Sequence, residues 1–213
     1  MKDMEESVWI IKNRNSIVFA FQANFYCIFL CKLLGIKVII RSNSSPTGWS
    51  KNIFKIKLYK LALKLADKVI VNSQEFKYLL NKKFNIKATC IYNPLNKKEI
   101  IKKSKIKKKI NFFSPDTINF INVGRLEDQK DHETLINAFI KLRPKINYKL
   151  LIIGNGTNKN KLNLLINKNK LQKYIKIIQS KNNPYYYIKK SNVFVLSSIF
   201  EGLPNVILEA LTL

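Results

Sequence analysis

Residues 118–139 read INFINVGRLEDQKDHETLINAF. An apolar run, Ile118 to Val123, stops at Gly124. A charged loop follows, and then apolar residues recur at helical spacing from Leu135. This is a buried strand, a turn and an amphipathic helix, with Asp131 placed to cap the helix. The same alternation runs outward in both directions. Further short apolar runs are IVFAF (17–21), KVIIR (37–41), KVIVN (68–72), ATCIY (88–92), KLLIIG (149–154), YIKIIQ (174–179) and NVFVLSS (192–198). Helices are expected over 22–34, 53–66, 73–84, 133–143, 158–169 and 184–190, with another opening at 205. Ser73 reads as an N-cap. The runs are continuous rather than alternating, which predicts strands covered on both faces. Strand–helix–strand order then predicts an α/β fold of doubly wound parallel sheets, joined by right-handed crossovers.

Residues 93–116, NPLNKKEIIKKSKIKKKINFFSPD, break the pattern with lysines bounded by Pro94 and Pro115. They divide the chain into a first Rossmann-like domain at 1–95, a Lys-rich linker at 96–116 and a second at 117–213. Asn93-Pro94 is expected to shape the hinge. The first domain has few strands and the second ends just inside a helix, so both read as incomplete.

The 213 residues carry 39 Lys plus Arg against 13 Asp plus Glu, a formal charge of +26, with 46% apolar residues. That apolar fraction excludes a disordered chain. Three cysteines and one histidine exclude a disulfide-stapled domain, a Cys/His zinc cluster and a His-centred hydrolase triad. The charge first suggests nucleic acid or anionic membrane. Yet only four of the basic residues are Arg, whereas a nucleic-acid reader needs that flat forked donor. A solvated lysine surface is the ordinary reading, and no nucleic-acid partner is expected. Helix 53–66 carries Lys55, Lys57, Lys60 and Lys64 among apolar anchors. It suits either a cover for the sheet or an anionic membrane. Residues 17–34 are the most apolar window, but Gln22 and Asn24 interrupt it and IVFAF reads as a strand rather than part of a membrane span. Met1 to Ser7 is acidic and polar, unlike a leader peptide, so a cytoplasmic place is expected, with peripheral contact at the inner face of the plasma membrane.

Three loops follow strands at their carboxyl ends, where open α/β sheets bind ligands. In the first, Gly124 permits close backbone approach. Arg125 and Lys130 supply a fork and a point charge suited to a diphosphate. In the second, SSIFEGLPNVILEAL (197–211), Glu201 sits in a turn with Gly202, Leu203 and Pro204. A helix opens there near Asn205, and Glu209 lies one turn on. Its N-terminus suits phosphate, and its carboxylates suit vicinal hydroxyls. In the third, GNGTNKNKL (154–162), Gly154 and Gly156 open the backbone to a nucleotide. In the first half, RSNSSPTGW (41–49) puts Arg41 at a strand end, where acceptor or donor phosphate is a candidate ligand.

The strings NVGRLEDQKDHETLINAF, LLIIGNG and SSIFEGLPNVILEA resemble the carboxyl-terminal half of retaining GT-B glycosyltransferases of family 4, the glycosyl transferases group 1 domain. RSNSSP, KVIVNS and IYNPL resemble the later part of that family's amino-terminal domain. The resemblance covers most of 17–213 and implies a chain truncated at both ends relative to the family. It implies a nucleotide-sugar donor, usually a UDP-sugar, with no cofactor and no metal. Arg125 and Lys130 would bind the donor diphosphate, Glu201 the sugar hydroxyls and Glu209 the ribose. The backbone from Gly202 to Asn205 would cradle phosphate and sugar. Arg125, Lys130 and Glu201 would carry catalysis, and Arg41 would lie on the acceptor side. The implied reaction is hexosyl transfer with retention to a glycan or lipid-linked acceptor, in cell-surface polysaccharide or lipopolysaccharide biosynthesis. A non-catalytic basic module binding anionic lipid or nucleic acid is the alternative, and an epimerase sharing the donor pocket is a third.

Overall fold

The computed structural model describes residues 16–21, 25–43, 52–106, 111–143, 145–180 and 182–213. They divide into two compact units. One holds the chain up to Asn93 together with Glu201–Leu203, and the other holds Pro94–Phe200 and Pro204–Leu213.

The first unit has four strands, β1 (Ile17–Phe21), β2 (Lys37–Ser42), β3 (Lys68–Val71) and β4 (Ala88–Cys90), all parallel in the order β1-β2-β3-β4. Between them lie α1 (Phe25–Leu33), α2 (Ile53–Leu65) and α3 (Gln74–Leu79), the last running on as a π-helical turn over Leu80–Phe84. Asn52 caps α2, accepting from the Phe54 and Lys55 amides, and Ser73 caps α3 through the Phe76 amide. Each crossover steps the same way along the sheet, and right-handed crossovers of one sense put every helix on one face. One core follows, with Val38, Ile40, Val69 and Val71 meeting Ile28, Ala62, Leu63 and Phe76. The strands therefore alternate in burial, where continuous apolarity predicts cover on both faces. On β1, Ile17 and Phe21 each remain 61% exposed, and among the described residues no helix covers that side.

The second unit has β5 (Ile118–Val123), β6 (Tyr148–Ile153), β7 (Ile175–Ile178) and the short β8 (Val193–Phe194), parallel in the order β7-β6-β5-β8. Its helices are α4 (Lys97–Ser104), α5 (His132–Leu142), α6 (Lys159–Lys168), α7 (Tyr185–Lys190) and α8 (Asn205–Ala210). Both faces are covered. Leu150 and Ile152 pack with Ile136, Phe139, Leu162 and Ile166 on one side, and Ile121, Leu151 and Ile153 pack with Tyr187 and Ile188 on the other. In this order the chain steps from β5 through β6 to β7 and then returns to the far side of β5. That reversal is a topological switch point, and it falls between β5 and β8.

Two expectations change in detail. The run 192–198 is strand only at Val193–Phe194, because beyond the Val195 amide's bond to the Ile121 carbonyl the chain turns to pair with a neighbouring loop. The Lys-rich stretch contains α4, which buries Ile100 and Ser104 four residues apart and belongs to the second unit. Residues 107–110 of that stretch, and 22–24 of the expected first helix, lie outside the described residues. Among the described residues, no helix is long and apolar enough to cross a membrane.

Candidate functional site

The switch point of the second sheet opens at the end of β5. Gly124 comes first, and the methylenes of Lys130 lie over it, 3.7–3.8 Å from where a β-carbon would stand. Between them the chain makes a single 3₁₀ turn at Asp128–Lys130. It is reversed by Asp131, in the left-handed region at φ 45°, which tolerates Asp better than most side chains. Asp131 then caps α5, accepting from the Thr134 amide at 3.2 Å. The geometry brings the Lys130 stem back to the strand end. Arg125 is exposed, and its guanidinium makes no hydrogen bond or ion pair with any described residue.

The loop after β6 is locked against this one. A β-carbon on Gly154 would stand 1.9 Å from the Gly124 carbonyl oxygen, and one on Gly156 would stand 2.4 Å from that of Leu126. Only glycine permits this approach. Leu126 is fully buried; its amide donates to the Asn155 carbonyl, and its carbonyl accepts from the Asn158 amide. The Glu127 carboxylate accepts from the amide and hydroxyl of Thr157, and Asp128 accepts from the Asn158 side chain at 2.7 Å. Two carboxylates close to Arg125 are thus held by neutral donors of the next loop.

The chain after β8 closes the other side. Ser197 Oγ donates to the Lys130 carbonyl at 2.7 Å, the Ile199 amide donates to the Gln129 carbonyl, and Gln129 Nε2 donates to the Phe200 carbonyl. Beneath them, His132 is 2% exposed. Asn122 Nδ2 donates to the Val195 carbonyl, so Asn122 Oδ1 faces His132 Nε2 at 2.9 Å and accepts its proton. His132 Nδ1 is then a buried acceptor with no partner among the described residues, as is Ser198 Oγ. Burial, and next the nearby Lys130 charge, push the imidazole down to about 4, so it is neutral at pH 7.

Of the residues marked in the sequence, Gly124, Arg125, Lys130, Gly154 and Gly156 come together in this laced loop pair. Pro204 and Asn205 open α8 in the same unit, with no side chain capping it. Glu209 on α8 is half-buried, with Tyr185 Oη 3.4 Å from its carboxylate, and burial raises its pKa above the usual carboxylate value. Glu201, Gly202 and Leu203 group instead with the first unit. Arg41 is engaged locally: it donates to Asn93 Oδ1 at 2.6 Å, to Asn43 Oδ1 at 3.2 Å and to the Ile91 carbonyl. It ties the end of β2 to the segment after β4, and its expected phosphate contact competes with those bonds. The rest of its loop, 44–49, lies outside the described residues. Sequence reasoning missed the Asn122–His132 pair, the Thr157 and Asn158 locks, and Tyr185. Among the described residues, no three His, Cys, Asp or Glu side chains gather to hold a metal ion.

Residues 97–213 match the family described as glycosyl transferases group 1. The chain is 38% identical over 161 residues to an uncharacterized glycosyltransferase of Methanocaldococcus jannaschii, covering 73% of this chain and 40% of that protein. It is 31% identical over 198 residues to the N-acetylgalactosamine-N,N'-diacetylbacillosaminyl-diphospho-undecaprenol 4-alpha-N-acetylgalactosaminyltransferase of Campylobacter jejuni, covering 87% of this chain and 52% of that enzyme. It therefore spans about half the length of these relatives or less. In fold it is similar to Anabaena HepE, solved in complex with UDP-glucose, with a TM-score of 0.77 over 97% of this chain and 60% of HepE at 16% identity. TarM gives a TM-score of 0.74 over 97% of this chain and 42% of its own, at 15% identity. Two parallel-sheet α/β units match these GT-B structures, and the chain belongs to the glycosyl transferases group 1 family.

Proposed function

We propose that this chain carries the donor-binding part of a glycosyltransferase that moves a sugar from a UDP-sugar to a glycan or lipid-linked acceptor. The observation that carries the reading is that Lys130 folds its stem over Gly124, the residue before Arg125, at the switch point of the second sheet. A forked donor with no partner among the described residues and an ammonium on the same loop suit the two phosphates of a nucleotide diphosphate. Cleaving the glycosidic bond passes through an oxocarbenium-like state while negative charge grows on the leaving phosphate. Cations beside the leaving phosphate stabilise that charge more in the transition state than in the ground state. Gly154 and Gly156 leave the backbone open beside the nucleotide. Glu209, desolvated on α8, is the acceptor for ribose hydroxyls. Glu201 keeps the sugar-hydroxyl role that the family resemblance implies, and retention rests on that resemblance. UDP complexes among fold relatives support the choice of base, the relative from Campylobacter jejuni, named for a diphospho-undecaprenol acceptor, supports a lipid-linked acceptor, and a Staphylococcus aureus relative named for capsular polysaccharide biosynthesis supports a role in surface polysaccharide biosynthesis. With such an acceptor, the reading takes the protein as cytoplasmic, at the inner face of the plasma membrane.

Calorimetric titration with UDP tests the diphosphate assignment. Binding at millimolar affinity or tighter is expected. Arg125→Ala should weaken it roughly tenfold or more, the worth of a charge-assisted hydrogen bond. Unchanged affinity in that variant overturns the assignment. Hydrolysis of a panel of UDP- and GDP-sugars then identifies the donor.

A further inference from the structure

Helices α7 and α8 of the second unit pack against each other, and Tyr185 on the first meets Glu209 on the second. Tyr185 Oη lies 3.4 Å from Glu209 Oε1, while Oε2 has no partner among the described residues. The phenol is held from behind. Its backbone amide donates to Asn183 Oδ1 at 3.2 Å, and Asn183 Nδ2 donates to the Lys103 carbonyl on α4 at 2.9 Å. Its ring packs against the core of Ile121, Leu151, Ile153 and Ile188. The charged groups around the pair are few. Among the described residues, Lys103 and Glu99 on α4, paired with each other, face Tyr185, and Tyr185 alone faces Glu209. Burial raises the pKa of both groups above their usual values, and the bond from Tyr185 opposes that rise at Glu209. Across neutral pH the phenol therefore keeps its proton and is the donor.

We propose that Tyr185 is a positioning residue for the nucleotide: it engages one oxygen of the Glu209 carboxylate and leaves the other to accept from the ribose hydroxyls. The inference rests on the donor-site reading, in which Glu209 is the ribose acceptor. A carboxylate on a short helix can swing about three side-chain torsions, and a ribose bond gains from having that freedom removed beforehand. At 3.4 Å the bond is long for a phenol and a carboxylate, so it steers the group rather than locking it. Its second effect is on charge. A half-buried carboxylate is drawn towards its neutral form, and a phenol donor keeps it ionised, the form that accepts most strongly from a hydroxyl. Tyr185 touches neither sugar nor phosphate in this arrangement and acts only through Glu209.

Calorimetric titration of the whole chain with UDP and with 2′,3′-dideoxyuridine diphosphate tests this, since the two ligands differ only in the ribose hydroxyls. The parent should bind the dideoxy ligand roughly tenfold or more weakly than UDP, the worth of hydrogen bonds to a charged group. Tyr185→Phe keeps the ring and removes one oxygen. It should shrink that ratio roughly fivefold by weakening UDP alone. Dideoxy binding at the parent's affinity certifies that the variant is folded. The ratio followed against pH is a second readout, in which titration of the phosphates cancels because both ligands carry them. The parent's ratio should fall as pH drops and Glu209 is protonated. In Tyr185→Phe, with the donor gone, the carboxyl holds its proton to higher pH and the fall should begin at higher pH. In Glu209→Gln the ratio should be small and independent of pH. Equal weakening of both ligands in Tyr185→Phe would make Tyr185 merely structural and overturn the proposal. So would a parental ratio and pH profile in Tyr185→Phe while Glu209→Gln loses both, with the ribose reading left standing. A parental ratio in Glu209→Gln, or no preference for UDP in the parent, would instead sink the ribose reading and the proposal with it.

Discussion

His132 concentrates the cost of building this site. Its imidazole is buried, bonded through Nε2 to Asn122, and without a partner at Nδ1 among the described residues. An unfolded histidine titrates near 6.5, and this one is held down to about 4 by burial first and by Lys130 second. Below pH 6.5 the unfolded chain takes up a proton that the native state refuses, so stability falls as pH drops towards 4. The loss is about 1.4 kcal/mol per pH unit inside that window. Asp67 and Glu99, whose pKa values are lowered, lose their stabilisation only as pH falls below the usual carboxylate range. Glu209, raised by burial, works in the opposite sense, with stability gained as pH falls through its folded value. Urea melts from pH 6.5 to pH 5 should therefore show the parent losing about 2 kcal/mol through His132. His132→Gln, which retains a donor for Asn122 and does not titrate, should show a flatter profile; an equal slope in both would remove His132 as the cause. None of this was legible at the residue itself. The sequence marks a histidine at a helix start; its partner is ten positions back on β5, and only the strand's pleat turns the two together.

At the scale of elements, the strand–turn–helix pattern around 118–139 was legible because its cues are local: a continuous apolar run, a glycine at its end, and an Asp cap before helical spacing resumes. Elements fixed by distant partners were not. The strand expected at 192–198 shortens because Ser197 and Ile199 bond to the 129–130 loop, a pairing no local propensity reports. Helix α4 hides in lysines, its two buried positions too few to make a visible period. The site glycines show the same division. All three read alike as turn residues, yet their surroundings differ. Gly154→Ala drives a methyl into the Gly124 carbonyl, an overlap that backbone cannot relieve cheaply. It should cost about 3 kcal/mol. Gly124→Ala meets only the flexible Lys130 stem at ordinary contact distance and should cost about 1 kcal/mol or less. Denaturant titration of the two variants decides this, and equal losses would mean that the loops are not locked as described.

At the scale of the molecule, strand order separates two units of similar make. Both are parallel sheets built of strand–helix–strand units. The first runs β1-β2-β3-β4 without reversal, so its described strands offer no crevice of the switch-point kind. The second reverses between β5 and β8, and the loop that folds Lys130 over Gly124 opens there. Strand order depends on which edge each crossover joins, which apolar periodicity does not encode; the position of the site therefore came from motifs and its rationale from topology. A ligand gripped at that reversal should protect the backbone that forms it. Hydrogen exchange with saturating UDP should slow amides at Val123–Asp131 and Gly154–Asn158, by up to a hundredfold when the ligand stands at about 100 times its Kd. The amides of β1 to β4, which carry no such crevice, should exchange at unchanged rates. Protection confined to the first unit would mean that UDP is held elsewhere, and that the cations around Gly124 serve some other anion.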